Sequence, residues 1–240
     1  MTATLPVANQ TEIFYPSADG EPVAETFDHL YALLTTLEVL KQYLTNRQAT
    51  VLADQFLYYS QGFPKLRVAP DVMVIFDVAP GGRDNYKLWE ERQVPSVIFE
   101  MTSAGTQDKD QVFKKTLYEQ LGVKEYWLFD PKGEWIEEKL RGYRLRGEIY
   151  ESITDSRSEP LQLRLQVEGR IIGFYREDDG EKLLIPDELA AALQQEVVAR
   201  QQAEEQVKQE RQRAEQAEAQ VEQLKARLRE LGVEPETGDN

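Results

Sequence analysis

Pro70-Asp71-Val72-Met73-Val74-Ile75-Phe76, then Val97-Ile98-Phe99-Glu100, then Glu125-Tyr126-Trp127-Leu128-Phe129-Asp130: these apolar runs, with acids at their ends, set the reading of the chain. In the first run Val72, Val74 and Phe76 alternate with Met73 and Ile75, so both faces are apolar. That is the pattern of a central strand covered on two sides. A glutamate at the end of the second run needs a partner or a metal if it is buried. Between the second and third runs, Val112, Leu117 and Leu121 recur as the apolar face of a helix over about 107–121, and Gly122 supplies its C-terminal stop. Lys114 and Lys115 lie on that helix.

Outward from this block, Phe27, Leu30, Tyr31, Leu33, Leu34, Leu37, Leu40 and Leu44 mark an amphipathic helix from Thr26 to about Thr45. Residues 50–59 and 66–78 read as strands, and 79–94 as a polar connection opening with Ala79-Pro80-Gly81-Gly82. Beyond Pro131 come short strands near 134–140, 141–145 and 148–153, with a hairpin turn at Arg146-Gly147. Residues 161–175 fit strand or loop. Residues 1–16 are expected as a flexible lead, 17–185 as one α+β (mixed α/β) domain, and 233–240 as a disordered tail.

After Pro186 the composition turns to Ala, Gln, Glu, Arg and Leu, without Gly or Pro up to Leu231. Alternating steps of four and three from Leu189 reach Leu193, Glu196, Arg200, Ala203, Val207, Glu210, Ala214, Ala217, Val221, Leu224, Leu228 and Leu231. This heptad spacing predicts a long C-terminal coiled-coil helix over 186–232, weakest in the middle of its seam. A homo-oligomer, formed through this helix or through the preceding domain, is expected.

Composition excludes several chemistries. There is no cysteine, so disulfides and thiolate metal sites are absent. His29 is the single histidine, which removes multi-imidazole zinc sites; its place among Leu30 and Leu33 reads as structural. Ser103 lacks a base, and Gly81-Gly82 has no Lys-Ser/Thr sequel to make a phosphate loop. No apolar run approaches the ~20 residues of a membrane span, and the N-terminus MTATLPVANQTEIFYP has no secretory pattern, so a cytoplasmic protein without membrane contact is expected. The net charge is −15, of which −9 falls on residues 1–185. That balance counts against a nucleic-acid partner, although a local cleft with bound divalent cations offsets it.

What remains is Asp71, Glu100 and Lys114. Two carboxylates at strand ends, with the Met101 carbonyl beside them, offer the oxygen ligands that Mg²⁺ (or Mn²⁺) takes, leaving positions for water and a phosphate. A neighbouring lysine can orient the water or stabilise charge growing on the phosphate. Taken singly, each of these residues also has a structural reading: Asp71 as a turn cap, Lys114 as part of a solvated helix face.

The words YPSADGEPVAETFDHL, APDVMVIFDV, PSVIFEMTSAGTQDKD and KKTLYEQLGVKEYWLFDP, in this order, resemble the Uma-type family of restriction-endonuclease-like proteins, a bacterial family in the PD-(D/E)XK nuclease superfamily. The resemblance spans roughly residues 12–185. It implies a central mixed sheet flanked by helices and a Mg²⁺-dependent endonuclease that hydrolyses DNA phosphodiester bonds by metal-activated water. Asp71 matches the Asp of the Pro-Asp motif and Glu100 the acid of the second motif strand. The superfamily lysine stands two residues after that acid, where this chain has Thr102. The family's lysine lies instead on the following helix, four residues before a tyrosine, which Lys114 before Tyr118 satisfies and for which Lys115 is the fallback. Asp108 is implied to orient the lysine and Glu25 to be an outer acid. The competing expectation is a non-catalytic scaffold that assembles through the C-terminal helix.

Overall fold

The computed structural model describes residues 13–20, 25–103 and 105–231. Residues 1–12 of the expected lead, Gly232 and the expected tail lie outside them. The chain divides into two units after Pro186.

In the first unit, Thr26 opens helix α1 (Phe27–Tyr43): its Oγ1 accepts the backbone N–H of His29 at 3.4 Å, as an N-cap threonine does. Strand β1 (Ala49–Ala53) follows, then the two-residue strands β2 (Leu57–Tyr58) and β3 (Arg67–Val68), then β4 (Val72–Phe76). The two long strands expected over 50–59 and 66–78 are therefore each broken in two. Asp54 turns the first with φ of +49°, and its N–H donates to the Pro70 and Asp71 carbonyls at 3.1 and 3.2 Å. The polar connection contains β5 (Tyr86–Lys87) and a single helical turn, α2 (Leu88–Glu91). Strand β6 (Val97–Met101) leads into a π-helical segment, Lys109–Lys114, that continues as α3 (Lys115–Leu121). Gly122 ends α3 at φ +83°, a conformation that side chains resist. Its N–H and that of Val123 close on the Glu119 and Tyr118 carbonyls at 3.1 and 3.0 Å.

Strand β7 (Glu125–Phe129) is followed by a loop rather than a strand over 134–139. The Asp130 carboxylate folds that loop by accepting the N–H groups of Gly133, Trp135 and Ile136 at 2.8–3.1 Å. Strand β8 (Leu140–Arg146) then forms a hairpin with β9 (Ile149–Ile153) through Gly147. Strands β10 (Arg157–Ser158), β11 (Leu163–Glu168), β12 (Ile171–Arg176) and β13 (Lys182–Leu183) make a second, antiparallel sheet, so the ambiguous stretch 161–175 is a hairpin. A third small sheet runs β3-β2-β5.

The central sheet has the order β1-β4-β6-β7-β8-β9, mixed in sense: β6 and β7 are parallel and the other pairs antiparallel. Its middle strands are buried on both faces. Val72, Val74, Val97, Phe99, Trp127 and Phe129 pack in one core with α1 and the second sheet. Met73, Ile75, Ile98, Tyr126 and Leu128 pack in another with Tyr118 and Val123. A sheet with helices and strands on both faces is the mixed α/β arrangement expected. Among the described residues no helix is long and apolar enough to cross a membrane.

The second unit is one helix, α4 (Pro186–Glu230), with no buried residue. Ion pairs four apart, Arg200–Glu204 at 2.9 Å and Arg211–Glu215 at 3.1 Å, lie along it.

One close approach in the central sheet is testable. Gly142 pairs with Trp127 across β7 and β8, and a Cβ at 142 would meet the indole carbons at 2.5–2.8 Å. The indole cannot easily withdraw, because its Nε1 donates to Glu125 Oε2 at 3.1 Å. Gly142→Ala should lower stability by about 1–3 kcal/mol in urea unfolding. An unchanged midpoint would show that the ring has room to move.

Candidate functional site

Antiparallel pairing of β4 with β6 sets Val72 opposite Phe99. Extended by one residue, the same register sets Asp71 opposite Glu100. Directly opposed residues of an antiparallel pair project from the same face, and here it is the face covered by α3. The Met101 N–H donates to Asp71 Oδ2 at 2.6 Å, tying the first acid to the strand that carries the second.

Glu100 is buried, 1 % exposed. Both of its oxygens are occupied: Oε2 accepts from Lys114 Nζ at 2.7 Å and Oε1 from Tyr118 Oη at 2.8 Å. Lys114 also meets Asp110 Oδ1 at 3.0 Å. The lysine reaches in from the π-helical segment, an irregularity that often occurs at functional positions. There the Asp110 carbonyl accepts the Tyr126 hydroxyl at 2.9 Å. The side chain that orients the lysine is thus Asp110, one helical turn before it, and not Asp108. Lys115 points elsewhere: its ammonium lies 4.2 Å from the centre of the Tyr143 ring.

Asp71 and His29 form the open edge, each with its side chain 17 % exposed. His29 Nε2 stands 3.6 Å from Asp71 Oδ1, and His29 Nδ1 stands 3.6 Å from the half-exposed Glu25. The histidine read as structural from its apolar neighbours therefore joins the acid cluster. Helical spacing placed it on α1, but nothing in the sequence says that this end of α1 abuts the start of β4. Asp54, exposed and at positive φ, is a further acid missed in the sequence. The only local sign of it was an aspartate inside the strand-like run 50–59. A cavity of about 60 Å³ adjoins His29, lined also by Thr26, Asp28, Thr102, Ser103 and Lys132. Ser103 is held locally, its N–H donating to Thr106 Oγ1 at 3.1 Å.

The electrostatics follow from burial and crowding. Burial pushes the Glu100 carboxyl up to about 8, with Asp71 and Asp110 adding to the rise and Lys114 opposing it. Burial lowers Lys114, but the Glu100, Asp110 and Asp71 charges outweigh it and hold the ammonium above its ordinary value. At His29 burial likewise acts downward, and Asp71, Glu25 and Glu100 together raise it. Burial, with the charges of Asp71 and Asp19, raises Asp54.

No group of three or more His, Asp or Glu side chains able to hold a metal ion occurs among the described residues. The donors that do converge are two carboxylates, Asp71 and Glu100, with the Met101 peptide alongside. In chemistry they fit a hard cation that keeps several waters.

A carboxyl raised in the folded state binds a proton there that the unfolded chain has lost. Its contribution to stability is therefore complete below the ordinary carboxyl range and disappears as pH rises toward about 8. Glu100→Gln mimics the protonated form. The wild type should lose on the order of a few kcal/mol relative to Glu100→Gln between about pH 5 and about pH 8.5, measured by urea unfolding of both proteins. Parallel pH profiles would show that Glu100 is not held protonated.

A family model described as "Uma2: Putative restriction endonuclease" matches residues 3–172. A crystal structure from Anabaena variabilis ATCC 29413, described as that of a "putative nuclease belonging to DUF820", aligns with a TM-score of 0.39 and 16 % identity, over 59 % of this chain and 77 % of that one. No curated protein matches the chain. With well over half of its length covered by that family model, the chain belongs to the Uma2 family.

Proposed function

We propose that the protein is a Mg²⁺- or Mn²⁺-dependent endonuclease that hydrolyses DNA phosphodiester bonds in the bacterial cytoplasm. Asp71 and Glu100 are its metal-binding carboxylates, the Met101 carbonyl is a further ligand, and Lys114 is its catalytic lysine. The observation that carries this reading is the 2.7 Å contact of Lys114 with a buried glutamate opposite Asp71. A glutamate kept inside a sheet, with an ammonium held against it, is expensive as architecture alone. It is economical as a site poised to exchange that ammonium for a cation.

When bound, a divalent ion supplies polarisation of the scissile phosphate and a lowered pKa for an attacking water. The rest belongs to the protein. Tyr118 anchors one Glu100 oxygen and leaves the other to be exchanged. Asp110 retains Lys114 after it lets go of Glu100, so the ammonium stays at the site to face a phosphate oxygen or orient the water. The Met101 N–H fixes one Asp71 oxygen, and His29 borders the other.

The second reading is an assembly role for the C-terminal helix as a coiled coil, whether or not the first unit is catalytic. It is favoured by α4 itself, which buries none of its residues although apolar side chains recur along it at heptad spacing.

Plasmid nicking in Mg²⁺ or Mn²⁺ tests the enzyme. Asp71→Asn and Lys114→Met should each lower the rate by about 100-fold or more. In calorimetry Asp71→Asn should weaken Mn²⁺ binding, whereas Lys114→Met should retain it. A wild-type protein that binds neither ion and cuts no nucleic acid would leave the assembly role as the function.

A further inference from the structure

The coiled-coil reading of α4 leaves the direction of pairing open, and the charges on its seam decide it. Among the large apolar side chains exposed between residues 189 and 231, all but Val197 and Val198 fall on the heptad seam. The seam also carries Glu196, Arg200 and Glu210. In a parallel, in-register pair every seam residue meets its own copy. Glu196 would then face Glu196, Arg200 would face Arg200 and Glu210 would face Glu210, like charges opposed where water is excluded.

We propose that two copies of α4 pair antiparallel, with Leu189 of one against Leu228 of the other, Leu193 against Leu224, and Ala203 against Ala214 near the centre. This rests on the coiled-coil reading and adds polarity and register to it. In this arrangement no charged seam residue meets a like charge: Glu196 faces Val221, Arg200 faces Ala217 and Glu210 faces Val207. The short partners leave the long side chains free to carry their charges out to water. On the flank Glu204 faces Arg211 of the second copy, and the two-fold axis repeats the pair. Both belong to ion pairs along their own helix, with Arg200 and Glu215, so the contact joins two existing pairs into one network. The leucines close both ends, and the alanines let the backbones approach in the middle, where the heptad pattern is poorest.

The partner surface is therefore a second copy of this chain. Each helix starts at Pro186, so antiparallel pairing puts the two helix starts about 67 Å apart. A parallel pair would anchor them side by side. The antiparallel form suits engagement of two separated sites on one DNA, where linkage adds avidity.

The absence of native cysteine makes single-cysteine spin labelling of the full-length chain direct. Labels replacing Gln209 should lie within about 25 Å of each other across the pair, and labels replacing Gln223 about 45 Å apart, by pulsed dipolar spectroscopy. A short distance at Gln223 would overturn the antiparallel register while keeping the coiled coil. No short distance at either position, including a monomer in light scattering, would overturn both.

Discussion

The burial of Glu100 is the constraint around which the first unit is organised. A carboxyl group inside a sheet must find partners for both oxygens, because no water is there to serve them. Lys114 and Tyr118 provide them, and both come from the one helical segment that crosses this face. The pair of bonds fastens that segment to β6 and sets the depth at which the lysine sits. The Tyr126 hydroxyl holds the same segment from β7 by donating to the Asp110 carbonyl, and within the segment Asp110 pairs with Lys114. The protonation of Glu100, the placement of Lys114 and the packing of α3 are thus one coupled arrangement.

The site also lies where the two cores of the central sheet meet. Glu100 and Asp71 project toward α3, while His29 belongs to α1, which packs on the opposite face. The histidine meets Asp71 just before the start of β4. That position gives the cluster a sealed end at Glu100 and Lys114 and a half-open one at Asp71 and His29. Asp54 adds a further exposed acid beside it. The concentration of acids agrees with the negative charge of the whole chain. In the proposed endonuclease a divalent cation, rather than the protein's own lysines, would bridge this cluster to the substrate.

The second unit obeys different physics. The central strands are held by burial on two sides, whereas α4 buries nothing and carries ion pairs at helical spacing. Pairs of that kind contribute only a few tenths of a kcal/mol each, and the apolar side chains of α4 lie exposed.

Much of this was legible residue by residue. The apolar alternation of Val72–Phe76, the run before Glu100, the glycine after α3 and the heptads beyond Pro186 each register in a short window, because strand, helix and cap preferences are local. The second sheet was missed although Leu161, Leu163, Leu165 and Val167 alternate with polar residues, the period of a half-buried strand. The break at Asp54 was missed because a positive φ at an aspartate leaves no periodic trace, whereas Pro70 marked the other break in the sequence itself. Chain order and the family pattern put Asp71, Glu100 and Lys114 forward as a set. That they adjoin, that Asp110 rather than Asp108 steadies the lysine, and that His29 stands beside Asp71 depend on strand register and on which ends of α1 and β4 abut. Those are relations between segments distant along the chain, and packing alone sets them.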